Sequence, residues 1–389
     1  MYHLRRLSAL AFSLAMILVL FSPVTTAAAA REDSMPLVLS SASALLMEKE
    51  TGTVLLQQNA HQKLEPASVT KIMTLLLVME AVDSGRLSLD ELVPVSAHAA
   101  GMGGSQVYLK EGEQLSVSDL IKCVAVVSGN DCAVALAERL AGSESAFVDQ
   151  MNQKAQSLGM ADTHFVNCTG LPAPGHLTSA WDIALMSREL ILRHPDIQQY
   201  TTIWTDSIRN GAFGLTNTNR LVRFYDGATG LKTGFTASAQ YCMSATAQRN
   251  GMELIAVVMK APTTAQRFQD ASSLLDYGFA NYALITPQPE SPLAPVDVLL
   301  GRSKTVQPQL QRECHLLVEK TQADQVTTRV DLARDVQAPV DPGQTLGEFQ
   351  VYVGEQLRDT VPIVAAQGVD RLSVPGLFSQ LLHRLLFAG

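Results

Sequence analysis

The sequence predicts an α+β protein: a mixed, mainly antiparallel sheet covered by helices, then a small all-β region and an amphipathic C-terminal helix. Three observations predict it. Strand patterns flank a long helical stretch that begins near Ser68 and runs, with breaks, to about Pro195. If those flanking strands pair, the helices between them must cover one sheet. Beyond the Pro-rich "ITPQPESPLAP", short alternating strands with turn residues take over. With 389 residues, 47% hydrophobic and 17% charged, the chain can bury one large core and a second, smaller one.

The elements follow in order. The first 30 residues read as an export segment, with "MYHLRR" as a basic start, "LSALAFSLAMILVLF" as an apolar middle and small residues up to a cleavage site after Ala30. Next, "SASALLMEKETGTVLLQQN" gives two strands around a turn at Glu50-Thr51-Gly52. "VTKIMTLLLVMEAV" and "VSDLIKCVAVVS" are apolar on most sides, as core helices are. The amphipathic "ESAFVDQMNQKAQSLG" stops at Gly159, and "LTSAWDIALMSRELILRHP" runs from a Thr178 or Ser179 cap to Pro195. Strands return in "GATGLKTGFT", "AQYCMSATAQ" and "MELIAVVMK". Asn250-Gly251 joins the last two as a hairpin, because both residues tolerate positive φ. A closing helix, "AQRFQDASSLLDYGFANY", precedes the linker.

The expected organisation is residues 1–30 as export signal, 31–285 as catalytic domain, 292–369 as β-rich domain and 371–389 as amphipathic helix. In that last segment Leu377, Phe378, Leu381, Leu382, Leu385 and Leu386 share one face, opposite Ser379, Gln380, His383 and Arg384. It is too short to span a bilayer. It suits a helix lying on a membrane surface, with Arg371 and Arg384 towards anionic lipid. The expected location is therefore outside the cell, peripherally on the outer face of the membrane.

Charge narrows the partners. A net charge of −8 leaves no basic surface to neutralise phosphates, which argues against nucleic acid. The five cysteines, Cys123, Cys132, Cys168, Cys242 and Cys314, are an odd number without disulfide-scaffold density or metal spacing. They read as small core residues. No residue cluster has metal-ligand spacing, and no cofactor is implied.

Chemistry concentrates in three places. Ser68 and Lys71 lie three residues apart, so on a helix they share a face. A serine needs a neighbour to take its proton, and a lysine can serve if burial or a nearby cation lowers its pKa. Ser128-Gly129-Asn130 interrupts one apolar helical run and starts another, so a hydroxyl and an amide project from between packed helices. Lys232-Thr233-Gly234 opens a strand. It offers a positive charge, a hydroxyl, and a position where a substrate backbone can come close.

In that order and in those local structures, the motifs resemble the penicillin-recognising serine enzymes, whose signature is SxxK, SxN and KTG. The closer resemblance is to low-molecular-mass penicillin-binding proteins that act as D-alanyl-D-alanine carboxypeptidases. It runs through "PASVTKIMT", "VVSGNDCAVALAE", "HFVNCTGL", "HLTSAWDIALMSREL" and "GLKTGFT". The resemblance implies a β-lactamase/DD-peptidase-like fold and a peptidase that removes the terminal D-alanine of peptidoglycan stem peptides, with β-lactams as inhibitors. It implies Ser68 as nucleophile, Lys71 as base and Ser128 as proton relay. Asn130, Lys232 and Thr233 would hold substrate. The backbone N–H groups of Ser68 and Phe235, beside Gly234, would form an oxyanion hole. Arg267 would meet the substrate carboxylate, although by sequence alone it is an exposed arginine at a helix start. The family usually has histidine at the position of Phe235, so any role of that imidazole is lost here. The scheme needs no histidine, and His164 and His176 receive no role. Two alternatives stand beside this reading. A β-lactamase would need a glutamate-bearing ExxLN block, and none lies between Ser128 and Lys232. A catalytically weak scaffold or sensor would be expected to show degraded motifs.

Overall fold

The computed structural model describes residues 37–376 together with Phe378 and Leu386. The export segment lies outside the described residues, as does most of the expected amphipathic helix. Among the described residues no helix is long and apolar enough to cross a membrane.

The flanking strands do pair. β1 (Ser43–Glu48) and β2 (Val54–Gln58) come before the helices. β3 (Ala228–Thr236), β4 (Gln240–Arg249) and β5 (Met252–Ala261) come after them. They form one sheet in the order β2-β1-β5-β4-β3. Every pairing in it is antiparallel. The β4–β5 connection is the expected tight turn, with φ of 50° at Asn250 and 81° at Gly251.

Alternation along the strands creates two cores, because successive side chains point to opposite faces. Leu45, Met47, Ile255, Val257 and Met259 face one helical layer. That layer holds α1 (Lys71–Asp83), α2 (Val117–Val126), α3 (Asn130–Ala141), α4 (Glu144–Ser157) and α5 (Ala180–Arg193). Leu46, Leu254, Ala256 and Val258 face the other side, against Ala271, Leu274 and Leu275 of α6 (Thr264–Asn281). α6 seats on the sheet through Gly278. A Cβ there would lie 2.5 Å from Leu254 Cδ1 and 3.1 Å from Leu46 Cδ2. α1 is buried on nearly every side, as its uniformly apolar sequence demands. The caps also match the sequence: Ser179 Oγ accepts from Asp182 N–H at the start of α5.

Two short antiparallel pairs escape the sequence reading: Leu92–Pro94 with Gln114–Ser116, and Thr205–Ile208 with Phe213–Thr216. Their strands have three or four residues, too few for a period to show. Past α6 the described residues are mainly β, broken by a 3₁₀ segment at Lys320–Gln325, with a four-stranded antiparallel sheet containing Thr345–Val353 and Gln356–Ala365. A second sheet there holds a parallel pair, Val296–Leu299 with Asp335–Gln337. Tyr282–Ile285 falls inside the expected catalytic region yet pairs with Leu316–Glu319, so the β part begins before the Pro-rich linker.

Candidate active site

The first motif is not simply the start of a helix. Ser68 lies in a one-turn 3₁₀ segment, Ala67–Thr70, and the α-helix begins at Lys71. In a 3₁₀ turn residues i and i+3 eclipse, which brings the two side chains closer into line than an α-helix would. Ala67 adopts φ of 48°. For a residue with a Cβ that costs about 1–2 kcal/mol, a strain set directly beside the serine.

Lys71 is fully buried, and its Nζ donates to Ser68 Oγ at 3.0 Å, Asn130 Oδ1 at 2.6 Å and the Thr169 carbonyl at 2.7 Å. Burial holds its pKa down to about 7, against 10.5 for a free lysine. Near neutral pH a substantial fraction is therefore the free amine, which can accept a proton.

The second motif packs between α2 and α3. Ser128 takes φ of 66°, and its Oγ, although buried, finds no partner among the described residues. Asn130 is held at both ends: its backbone N–H donates to Ser105 O at 2.7 Å and its Nδ2 to Gly103 O at 2.6 Å. That leaves Oδ1 facing Lys71. Asp131 ties the same loop down by accepting from Val107 and Leu109 N–H.

The third motif lies on β3, an edge strand of the main sheet. Lys232 is nonetheless buried, and burial, reinforced by Lys71 and Arg267, pushes its pKa well down. The close approach at Gly234 is to the serine turn: a Cβ there would meet Pro66 O at 2.9 Å and the Ser68 and Val69 amide nitrogens at 3.0 Å. β3 thus abuts the Ser68 amide, and all three motifs meet at one place.

Sequence comparison identifies the family. Residues 27–263 match the family described as D-alanyl-D-alanine carboxypeptidase. The chain belongs to that family. It is a serine-type D-Ala-D-Ala carboxypeptidase of cell-wall metabolism. Residues 288–371 match the C-terminal domain of penicillin-binding protein 5. The chain is 37% identical over 360 residues to D-alanyl-D-alanine carboxypeptidase DacF of Bacillus subtilis, covering 91% of this chain and 92% of that one. Penicillin binding protein 5 of Haemophilus influenzae aligns with a TM-score of 0.73 and 28% identity, over 87% of this chain and 100% of its own. Penicillin-Binding Protein D2 of Listeria monocytogenes, solved in its ampicillin-bound form, gives a TM-score of 0.58 and 36% identity, over 63% of this chain and 100% of its own.

Other site residues of this carboxypeptidase differ from the sequence expectation. Arg267, expected to be exposed, is buried. The first turn of α6 docks at the sheet end, so the guanidinium lies over the rings of Phe268 and Tyr241, at 4.6 and 5.6 Å. Its Nη1 donates to Gly234 O at 3.3 Å, while Nε finds no partner among the described residues. Burial lowers its pKa to about 10. Phe235 is 55% exposed, with its ring 4.5 Å from that of Tyr241. Thr233 Oγ1 lies 2.6 Å from Thr218 Oγ1. Thr218 and the Thr169 carbonyl had no motif to mark them, though Thr169 lies inside the quoted "HFVNCTGL". The five cysteines are free and buried.

Proposed function

We propose that Ser68 is the acylated nucleophile and that Lys71 is its base. The observation that carries this is the buried Lys71 amine, 3.0 Å from Ser68 Oγ with its pKa held near 7. Ser68 Oγ attacks the penultimate carbonyl of a peptidoglycan stem while Lys71 takes its proton. The carbonyl oxygen turns towards the N–H groups of Ser68 and Phe235; such donors are typically worth about 3–4 kcal/mol of barrier. The C–N bond then breaks. The proton passes from Lys71 through Ser128 Oγ to the departing D-alanine amine. Water attacks the ester, Lys71 receives its proton, and Ser68 regains its own.

Charge supports an anionic substrate. Lys71, Lys232 and Arg267 crowd the site, and among the described residues their hydrogen-bond partners are hydroxyl, amide and backbone carbonyl oxygens rather than carboxylates. The terminal carboxylate of D-Ala-D-Ala supplies one, with Arg267 and Thr233 as its contacts, while Asn130 and Lys232 hold the peptide. Arg267 Nε and Ser128 Oγ are buried polar atoms unpaired among the described residues, and groups of that kind are costly unless a ligand completes them. Penicillins, which mimic this terminus, would leave a long-lived ester on Ser68. The mature protein would act outside the cell, with residues 371–389 resting on the membrane surface.

A time course with a D-Ala-D-Ala peptide and a fluorescent penicillin tests the chemistry. Fast D-Ala release with slow loss of label is expected, and Ser68→Ala should do neither. Fast loss of label with little D-Ala release would mean a β-lactamase, and normal labelling of Ser68→Ala would remove it as the nucleophile. Removing residues 371–389 should abolish pelleting with anionic vesicles and leave peptidase activity intact; unchanged pelleting would end the membrane assignment.

A further inference from the structure

His176 is buried near the serine turn, and the catalytic scheme gives it nothing to do. Its two ring nitrogens are both engaged. Nδ1 lies 3.1 Å from the Val166 backbone N–H. An N–H only donates, so Nδ1 carries no proton and the neutral ring carries it on Nε2. Nε2 lies 2.8 Å from Thr70 Oγ1 and therefore donates to it. Thr70 Oγ1 in turn donates to the Ala67 carbonyl at 2.9 Å. The two ends fix the direction of the whole chain: Val166 N–H, His176, Thr70, Ala67 C=O. Each bond polarises the next.

The far end of that chain is the strained residue. Ala67, at φ of 48°, immediately precedes Ser68. The near end is anchored too. His164 and Leu177 exchange backbone hydrogen bonds at 2.9 and 3.1 Å, and Leu64 and Thr178 do so at 2.8 and 2.9 Å. The His176 segment thus ties the chain before the serine turn to the bend at Val166. Burial, with the nearby His164 charge, lowers the pKa of His176 to about 4, so the ring stays neutral where the enzyme works.

We propose that His176 is a positioning residue for acylation, pinning the Ala67 carbonyl through Thr70 and so holding the turn that aims the Ser68 hydroxyl at Lys71. This rests on Ser68 as the nucleophile.

Two substitutions cut the same link from opposite ends. His176→Asn keeps an acceptor for Val166 N–H but loses the Nε2 donor. Thr70→Val loses the hydroxyl at nearly constant volume. Each should lower the second-order rate constant of fluorescent-penicillin acylation about 10-fold, as misaiming of a nucleophile does. The double variant should be no slower than either single one, because both remove one chain. Thr70→Ser, which restores the hydroxyl, should recover most of the rate. For the peptide, kcat should fall with KM nearly unchanged. A purely structural role would instead reduce the amount of labelled protein and leave the rate constant of the labelled fraction intact, so active-site titration separates the two. Wild-type rate constants in Thr70→Val, or additive losses in the double variant, would overturn the proposal. If His176→Asn does not fold, Thr70→Val against Thr70→Ser decides alone. Labelling of wild type but not of Ser68→Ala, measured alongside, tests the nucleophile separately.

Discussion

The surroundings of Ser68 and the C-terminal β part solve opposite problems. Around Ser68 the carboxypeptidase buries Lys71, Lys232 and Arg267, and holds Ala67 and Ser128 at positive φ. Two polar atoms there have no partner among the described residues. From Tyr282 onward no described side chain that is buried carries a charge, an amide or a hydroxyl. Its cores are Val, Leu, Ile, Phe and Ala with Cys314, and its ion pair Arg312–Asp359 is partly exposed. Every isolated buried charge costs stability unless something offsets it. The difference teaches that the site stores unfavourable energy, while the surrounding apolar layers hold it in place.

The comparison can be broken most forcefully at Lys71. Lys71→Met keeps the volume and removes the amine. Penicillin acylation should fall about 10³-fold, within the range for losing a general base. A loss below tenfold, measured by stopped-flow labelling, would mean another group takes the proton.

A milder perturbation is pH. Lys71 must be neutral to act, so acylation should rise with pH through about 7, and one unit lower should leave roughly a tenth of the plateau rate. The same shift affects folding. The unfolded chain binds its lysine proton up to about 10.5, while the folded chain releases it near 7. The stability of wild type relative to Lys71→Met should therefore rise between those values, by up to about 1.4 kcal/mol per pH unit. Urea unfolding of both proteins at two pH values in that window reads it directly. A difference independent of pH would show that Lys71 is not perturbed.

The smallest effect on catalysis belongs to the β part. Phe349→Ala removes a fully buried ring and should destabilise that part by about 3–5 kcal/mol. The acylation rate constant of the folded protein should stay as in wild type. A rate that fell with stability would couple the two regions, and the contrast drawn above would fail.

Much of this was legible in advance, for physical reasons. The continuous apolar runs "SALLME" and "MELIAVVM", the Asn250-Gly251 turn and the Ser179 cap are local signals, and each element formed where its residues favour it. The three motifs were legible because they use particular side chains. What escaped was what no side chain advertises. The Thr169 carbonyl meets Lys71 across 98 residues, yet every residue has a carbonyl. The depth of Arg267 depends on how α6 docks, which a local window does not contain. His176 escaped because its chemistry is to stay neutral and point, and isolated histidines give the same signal when they do nothing.

One contact from the fold reaches further than its position suggests. Gly278 lets α6 lie flush on Leu46 and Leu254, and the same rigid rod carries Arg267 at its other end, about 16 Å away at 1.5 Å per residue. A methyl group at residue 278 would act as a shim under one end of a lever and lift the guanidinium from Gly234 at the other. If Arg267 meets the drug as proposed, variants selected for weakened β-lactam capture have a place to arise three helical turns from it, on the face of the sheet opposite Ser68.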